Sequence, residues 1–103
     1  MSDKDIVIGQ YYFLLFFYHP KVNIPVIKSF IYMGKNLYKK KEDLSKDEWF
    51  FQDAKSYLQH GSFLDLPNKI ERELLIAEED ILSRMYDMDG LIDALQKLKK
   101  GKL

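Results

Sequence analysis

Two kinds of residue in this chain could do chemistry: the histidines His19 and His60, and the carboxylates from Glu71 to Asp93. A histidine can serve as a general base or a metal ligand near neutral pH. Neither has a partner histidine at metal-ligand spacing, and there is no HExxH motif. His19 precedes Pro20 in a stretch that reads as a turn. His60 falls in the last turn of a short predicted helix, where positive charge is favourable. Ser29, Ser45, Ser56, Ser62 and Ser83 lack the GxSxG setting of an activated nucleophile. The five glycines are too dispersed for a phosphate-binding loop or a dinucleotide fingerprint. With no cysteine in the chain, disulfides, thiolate chemistry and zinc-thiolate sites are excluded together.

The carboxylates give a stronger pattern but no motif. Asp87-Met88-Asp89-Gly90 resembles the start of a calcium loop. That loop needs alternate oxygen ligands, glycine at the sixth position and glutamate at the twelfth, whereas Gly90 comes fourth and Leu98 twelfth. The segment is therefore read as a helix break, and neither metal nor cofactor is expected. Glu71 and Glu78 fall in one seam of a predicted helix, where neighbouring carboxylates can reach unusual protonation states. The simpler reading is a seam open to water or to a lysine.

The elements that would hold these residues follow from hydrophobic pattern and punctuation. Tyr11 to Tyr18, YYFLLFFY, is apolar at every position, so as a strand it needs both faces covered or a place inside a sheet. Pro20, Asn23 and Pro25 read as a loop, and residues 26–33 as a second strand paired with 11–18 in a hairpin. Gly34 is expected to end that strand, and residues 35–47 to form an exposed loop. A short strand is predicted over 48–52. A helix over 54–60 follows, with Asp53 as N-cap, Gly61 as C-cap, and Ala54, Tyr57 and Leu58 sharing a side.

From Asp65, with Pro67 in the first turn, the spacing predicts a long helix to about Asp87. One arc carries Ile70, Leu74, Ala77, Ile81 and Met85, and a second carries Leu75, Leu82 and Tyr86. A final amphipathic helix carries Leu91, Ile92, Leu95 and Leu98. These elements make a single domain, residues 1–103, of the α+β class: a small, mainly antiparallel sheet with the C-terminal helices on one face. The alternative is an all-α bundle, because an apolar run such as residues 6–18 fits a buried helix equally well.

Charge is neutral overall but arranged in blocks. Residues 1–41 carry seven lysines against two acids, residues 42–93 carry fourteen acids against five bases, and the last ten residues carry four lysines and no acid. The N-terminal sequence lacks the positive charge of a secretory signal, and residues 6–18 are shorter than the roughly 20 needed to span a bilayer as a helix. The expectation is a soluble, cytoplasmic protein without catalytic activity. It would bind another protein of basic character through an acidic helical surface, as an inhibitor or immunity-type protein does. Glu73, Glu79, Asp80 and Asp87 are the candidate partner-binding residues. The alternative is a nucleic-acid-binding or regulatory module using Lys21, Lys28, Lys35 and Lys39 to Lys41. An enzyme using His19 or the seam glutamates ranks last, and a homodimer through an uncovered strand edge remains open.

Overall fold

A computed structural model of the chain describes residues 6–19, 22–37, 46–65 and 74–101. The described residues form four strands and three helices: β1 (Tyr11–His19), β2 (Val22–Lys35), β3 (Trp49–Asp53), α1 (Ala54–His60), β4 (Leu74–Ala77), α2 (Glu79–Leu82) and α3 (Met88–Lys99). The strands make one antiparallel sheet in the order β1-β2-β3-β4. The α+β architecture is as the sequence leads one to expect, and residues 11–18 are strand, not helix.

Alternation along the strands sends successive side chains to opposite faces. One face holds Tyr12, Phe30, Tyr32, Trp49, Phe51 and Ala77, closed by Leu82 and Met85. At its centre Phe51 is wholly buried. The Tyr12 and Phe30 rings meet it edge-on at 6.3 and 6.5 Å, and the Tyr32 ring lies at 5.2 Å with its plane tilted. The other face holds Ile31, Met33 and Phe50, covered by Phe63 and by Tyr57 of α1. The helices and turns thus divide their cover between the two faces, because β3 is apolar on both.

After β4 the chain crosses the first face. Leu82 and Met85 enter its core, and Tyr86 reaches the far edge of the sheet. There the Phe13 N–H donates to the Tyr86 carbonyl at 2.8 Å, and the Tyr86 N–H donates to the Phe13 carbonyl at 2.9 Å. Helix α3 then packs against β1, burying Leu91 and Ala94.

Several expected boundaries are corrected. Residues 65–87 are not one helix: residues 66–73 lie outside the described set, 74–77 are the edge strand β4, and 79–82 are a single short turn of helix. Four consecutive apolar residues, Leu74 to Ala77, satisfy a helical and an extended pattern equally, and pairing with β3 selects the strand. Asp89 and Gly90 do not break a helix but lie in the first turn of α3, whose N-cap is Asp87. The hairpin is longer than 11–18 and 26–33, since His19 pairs with Val22 and Pro25 lies inside β2 opposite Phe17. Gly34 does not end β2. It sits at a bulge with φ of 144°, where a Cβ would come within 2.8 Å of the Leu37 side chain. His19 closes β1 instead of standing in a turn.

The caps of α1 are as expected. The Asp53 carboxylate accepts from the Ser56 N–H at 3.1 Å, and the N–H of Gly61 (φ of 76°) donates to the Tyr57 carbonyl. The buried member of that helix is Ser56, however, while Leu58 is 81% exposed. The cause is Gln52, which is fully buried on β3. Its Nε2 donates to Ser56 Oγ at 3.3 Å and to the Gly61 carbonyl at 2.9 Å, and its Oε1 accepts from the Phe63 N–H at 3.0 Å. A buried amide without partners would be costly, so Gln52 draws the polar side of α1 inward and fixes the turn that delivers Phe63 to the core.

Gln52→Leu leaves the Phe63 N–H and the Gly61 carbonyl without their buried partner and should destabilise the fold by about 2–4 kcal/mol. Ser56→Ala removes only the longest of these bonds and should cost about 1 kcal/mol or less. Urea denaturation of the two variants checks the order; equal costs would show that Gln52 does not hold this turn.

Candidate functional site

A cleft of about 800 Å³ opens where the ends of β2, β3 and β4 meet α2, lined by Lys35, Lys46, Asp47, Trp49, Glu78, Glu79, Asp80 and Ser83. Cross-strand pairing places Lys35 opposite Trp49, and Trp49 opposite Ala77. The indole of Trp49 belongs to the buried core, yet its face meets the cleft, with Lys35 Nζ at 5.2 Å from the ring centroid. A cation over an indole face is held by the ring quadrupole.

Asn36 fixes the mouth of this cleft. Its backbone N–H donates to the Glu48 carbonyl at 2.7 Å, its Oδ1 accepts from the Glu48 N–H at 2.8 Å, and its Nδ2 donates to Asp47 Oδ1 at 3.0 Å. Its φ of 55° lies in the left-handed region that asparagine tolerates better than most residues. This clamp ties the end of β2 to the start of β3 and sets Asp47 beside Lys35, with Nζ to Oδ2 at 3.4 Å. Across the cleft Lys46 pairs with Glu78 at 3.7 Å.

The charges do not balance. Four carboxylates, Asp47, Glu78, Glu79 and Asp80, face two ammonium groups, Lys35 and Lys46. Glu79 and Asp80 are exposed and have no salt-bridge partner among the described residues. They begin α2, where their charge suits the exposed N–H groups of the first turn. The Ser83 hydroxyl donates to the Asp80 carbonyl at 2.7 Å and serves to cap that turn. The arrangement suits reception of a positively charged side chain: an aromatic face, paired acids beside it and, at the rim, two acids without a salt-bridge partner among the described residues.

Of the sequence candidates, Glu79 and Asp80 come together in this cleft. Asp87 does not join them; its carboxylate accepts from the Gly90 N–H at 2.7 Å as the cap of α3. Glu73 and Glu71 lie outside the described residues, and with Glu71 the seam expected between it and Glu78. Glu78 instead precedes α2 and pairs with Lys46. Sequence reasoning does not single out Trp49 or Asp47 and assigns Lys35 only to the nucleic-acid alternative, because the cleft is built from strands distant in sequence. Among the described residues no three His, Asp or Glu side chains are grouped as metal ligands, and no helix is long and apolar enough to cross a membrane. No protein-family model, curated protein or solved structure matches this chain.

Asn36→Ala removes both side-chain hydrogen bonds and leaves a β-carbon in a left-handed conformation, and should cost about 2–3 kcal/mol; Asn36→Gly loses the same bonds without that strain and should cost about 1 kcal/mol less. Thermal unfolding followed at Trp49, the only tryptophan of the chain, checks the order. Alanine tolerated as well as glycine would show that the left-handed conformation is not needed.

Proposed function

We propose that this chain is a non-catalytic protein-interaction domain that receives a basic segment of another protein in the Trp49 cleft, in the manner of an inhibitor or immunity-type protein. The observation that carries this reading is the pair Glu79 and Asp80, without a salt-bridge partner among the described residues, at the rim of a cleft whose aromatic wall already holds a cation, Lys35. Lys35 between the Trp49 face and the Asp47 carboxylate shows the geometry an incoming lysine or arginine would meet. Excess negative charge around such a wall steers a basic partner toward it and weakens with salt. The nucleic-acid alternative draws less support from the described residues. Lys28 and Lys35 stand roughly 20 Å apart along β2, Lys35 is paired with Asp47, and Lys21 and Lys39 to Lys41 lie outside the described set.

Trp49 makes the test direct. Titration with a deca-arginine peptide at low ionic strength should change its fluorescence saturably, and a deca-glutamate peptide or a single-stranded oligonucleotide should not. Reversal of both acids, E79K with D80K, should weaken the arginine peptide by roughly tenfold or more and flatten its salt dependence. Asp87→Asn, which alters an acid outside the cleft, should leave it unchanged. Binding indifferent to E79K and D80K overturns the reading, and binding of the oligonucleotide alone favours the nucleic-acid alternative.

A further inference from the structure

The β1–β2 hairpin runs well past the rest of the sheet. Strand β3 pairs with β2 only from Phe30 to Lys35, and Tyr86 meets β1 only at Phe13. Residues 14–19 and 22–29 therefore extend as a two-stranded arm to which no other described strand is paired. The radius of gyration, 15.1 Å, exceeds the roughly 13 Å of a compact chain of this length, as a projecting arm requires. The arm is largely apolar on both faces: Leu14, Phe16 and Val26 line one, with Lys28 opposite Leu14 as its charged member, and Leu15, Phe17 and Ile27 line the other, with Phe16 44% and Ile27 43% exposed. A ribbon of two strands has little stability of its own in water.

The two edges of the arm differ. Phe13 turns its N–H and C=O outward to Tyr86, so by alternation Leu15 and Phe17 turn theirs to the same open side. No described residue bonds them there. On the opposite edge, β2 presents Pro25, which has no N–H to offer an incoming strand, a recognised guard of exposed sheet edges. The β1 edge has no such guard: between Tyr11 and Tyr18 there is no charge, proline or glycine. One edge is thus closed to a further strand and the other is left open to one.

We infer that the open edge of β1 is the interface between two copies of this chain, paired antiparallel about a two-fold axis at Phe16. A strand added to a ribbon that is largely apolar on both faces must itself be apolar on both faces and free of charge, and in this chain of alternating charge blocks β1 is the segment that meets that requirement. The two-fold register follows from the backbone. Leu15 of one copy stands opposite Phe17 of the other, so the N–H and C=O of both residues find partners in both copies, while Phe16 faces its own counterpart across the axis. In this register Phe13, whose groups Tyr86 already holds, stands opposite His19 of the other copy, so the pairing runs from Leu14 to Tyr18 and ends there. It also pairs the arms away from the Trp49 cleft, so the inference does not rest on the function proposed above.

Sedimentation velocity of the full chain should give a particle of twice the 12.3 kDa chain mass that dissociates on dilution. Leu15→Pro removes only the outward N–H and leaves the β1–β2 ladder intact, so it should give a monomer with an unchanged circular dichroism spectrum. Phe16→Lys alters an exposed side chain and should do the same, as should Phe16→Glu. Mixing F16K with F16E should restore the dimer, because the two residues meet at the axis. A wild-type monomer throughout the micromolar to millimolar range overturns the inference, as does a dimer that survives both L15P and F16K, or failure of the mixed pair to associate.

Discussion

Phe50 and Phe51 are neighbours in sequence, yet each belongs to a different core, because successive side chains of a strand leave opposite faces. That alternation on β3 is the constraint from which the rest of the architecture follows. With Trp49, Phe50, Phe51 and Gln52 all buried, β3 needs cover on both faces and a strand on each side, which β2 and β4 supply. One face is closed by residues that follow β3 immediately, through α1 to Phe63; the other is closed by residues that return much later, Leu82 and Met85. Gln52 extends the same logic to polar atoms, since an amide on a doubly covered strand must collect its partners from the covering elements. The seat of α1 and the turn after it are therefore set by β3.

What could be read from the sequence was local. The apolar run of β1, the strand at 49–53 and both caps of α1 are written in a few adjacent residues whose chemistry has one good solution. The spacing suggests a long helix because Ala77, Leu82 and Met85 are apolar for another reason: Ala77 lies on a strand, Leu82 on a turn of helix and Met85 beyond it, and all three are buried. Pro25 reads as a loop signal because proline spoils a central strand, but β3 pairs with β2 only from Phe30 onward, so among the described residues no strand meets Pro25 on that side and its missing N–H is harmless there. Asp87 carries an N-cap signal for α3 that the helical spacing running up to it masks.

The candidate site was half legible. The exposure of Glu79 and Asp80 follows from polarity and position, and it held although the helix around them is only one turn long. The Trp49 wall could not be read, because its pairing with Lys35 depends on the register across the β2 bulge, where Met33 is the extra residue that brings Gly34 opposite Phe50. Without that bulge Lys35 would point to the other face. One backbone irregularity, which the sequence marks only with a glycine, thus decides which side of the sheet receives the cation. The fourteen residues of β2 also separate the cleft at one end from the arm at the other.

The Phe13–Tyr86 bridge has a consequence for the order in which the molecule assembles. Each hairpin of the meander closes a modest loop, whereas this bridge joins residues near the two ends of the described chain and needs the intervening strands in place before its closure is repaid. It contributes a single residue pair to the hydrogen-bonded sheet. Among the described strands and helices, α3 is held to the sheet chiefly along β1, beside that bridge. The same geometry makes α3 the last element to dock and the first to leave: once the bridge and the buried contacts of Leu91 and Ala94 are lost, the C-terminal helix is free while the four-stranded meander keeps its own hydrogen bonds. Slow amide exchange would then mark β2 and β3 as the persistent centre, with α3 opening as a separate, less stable unit.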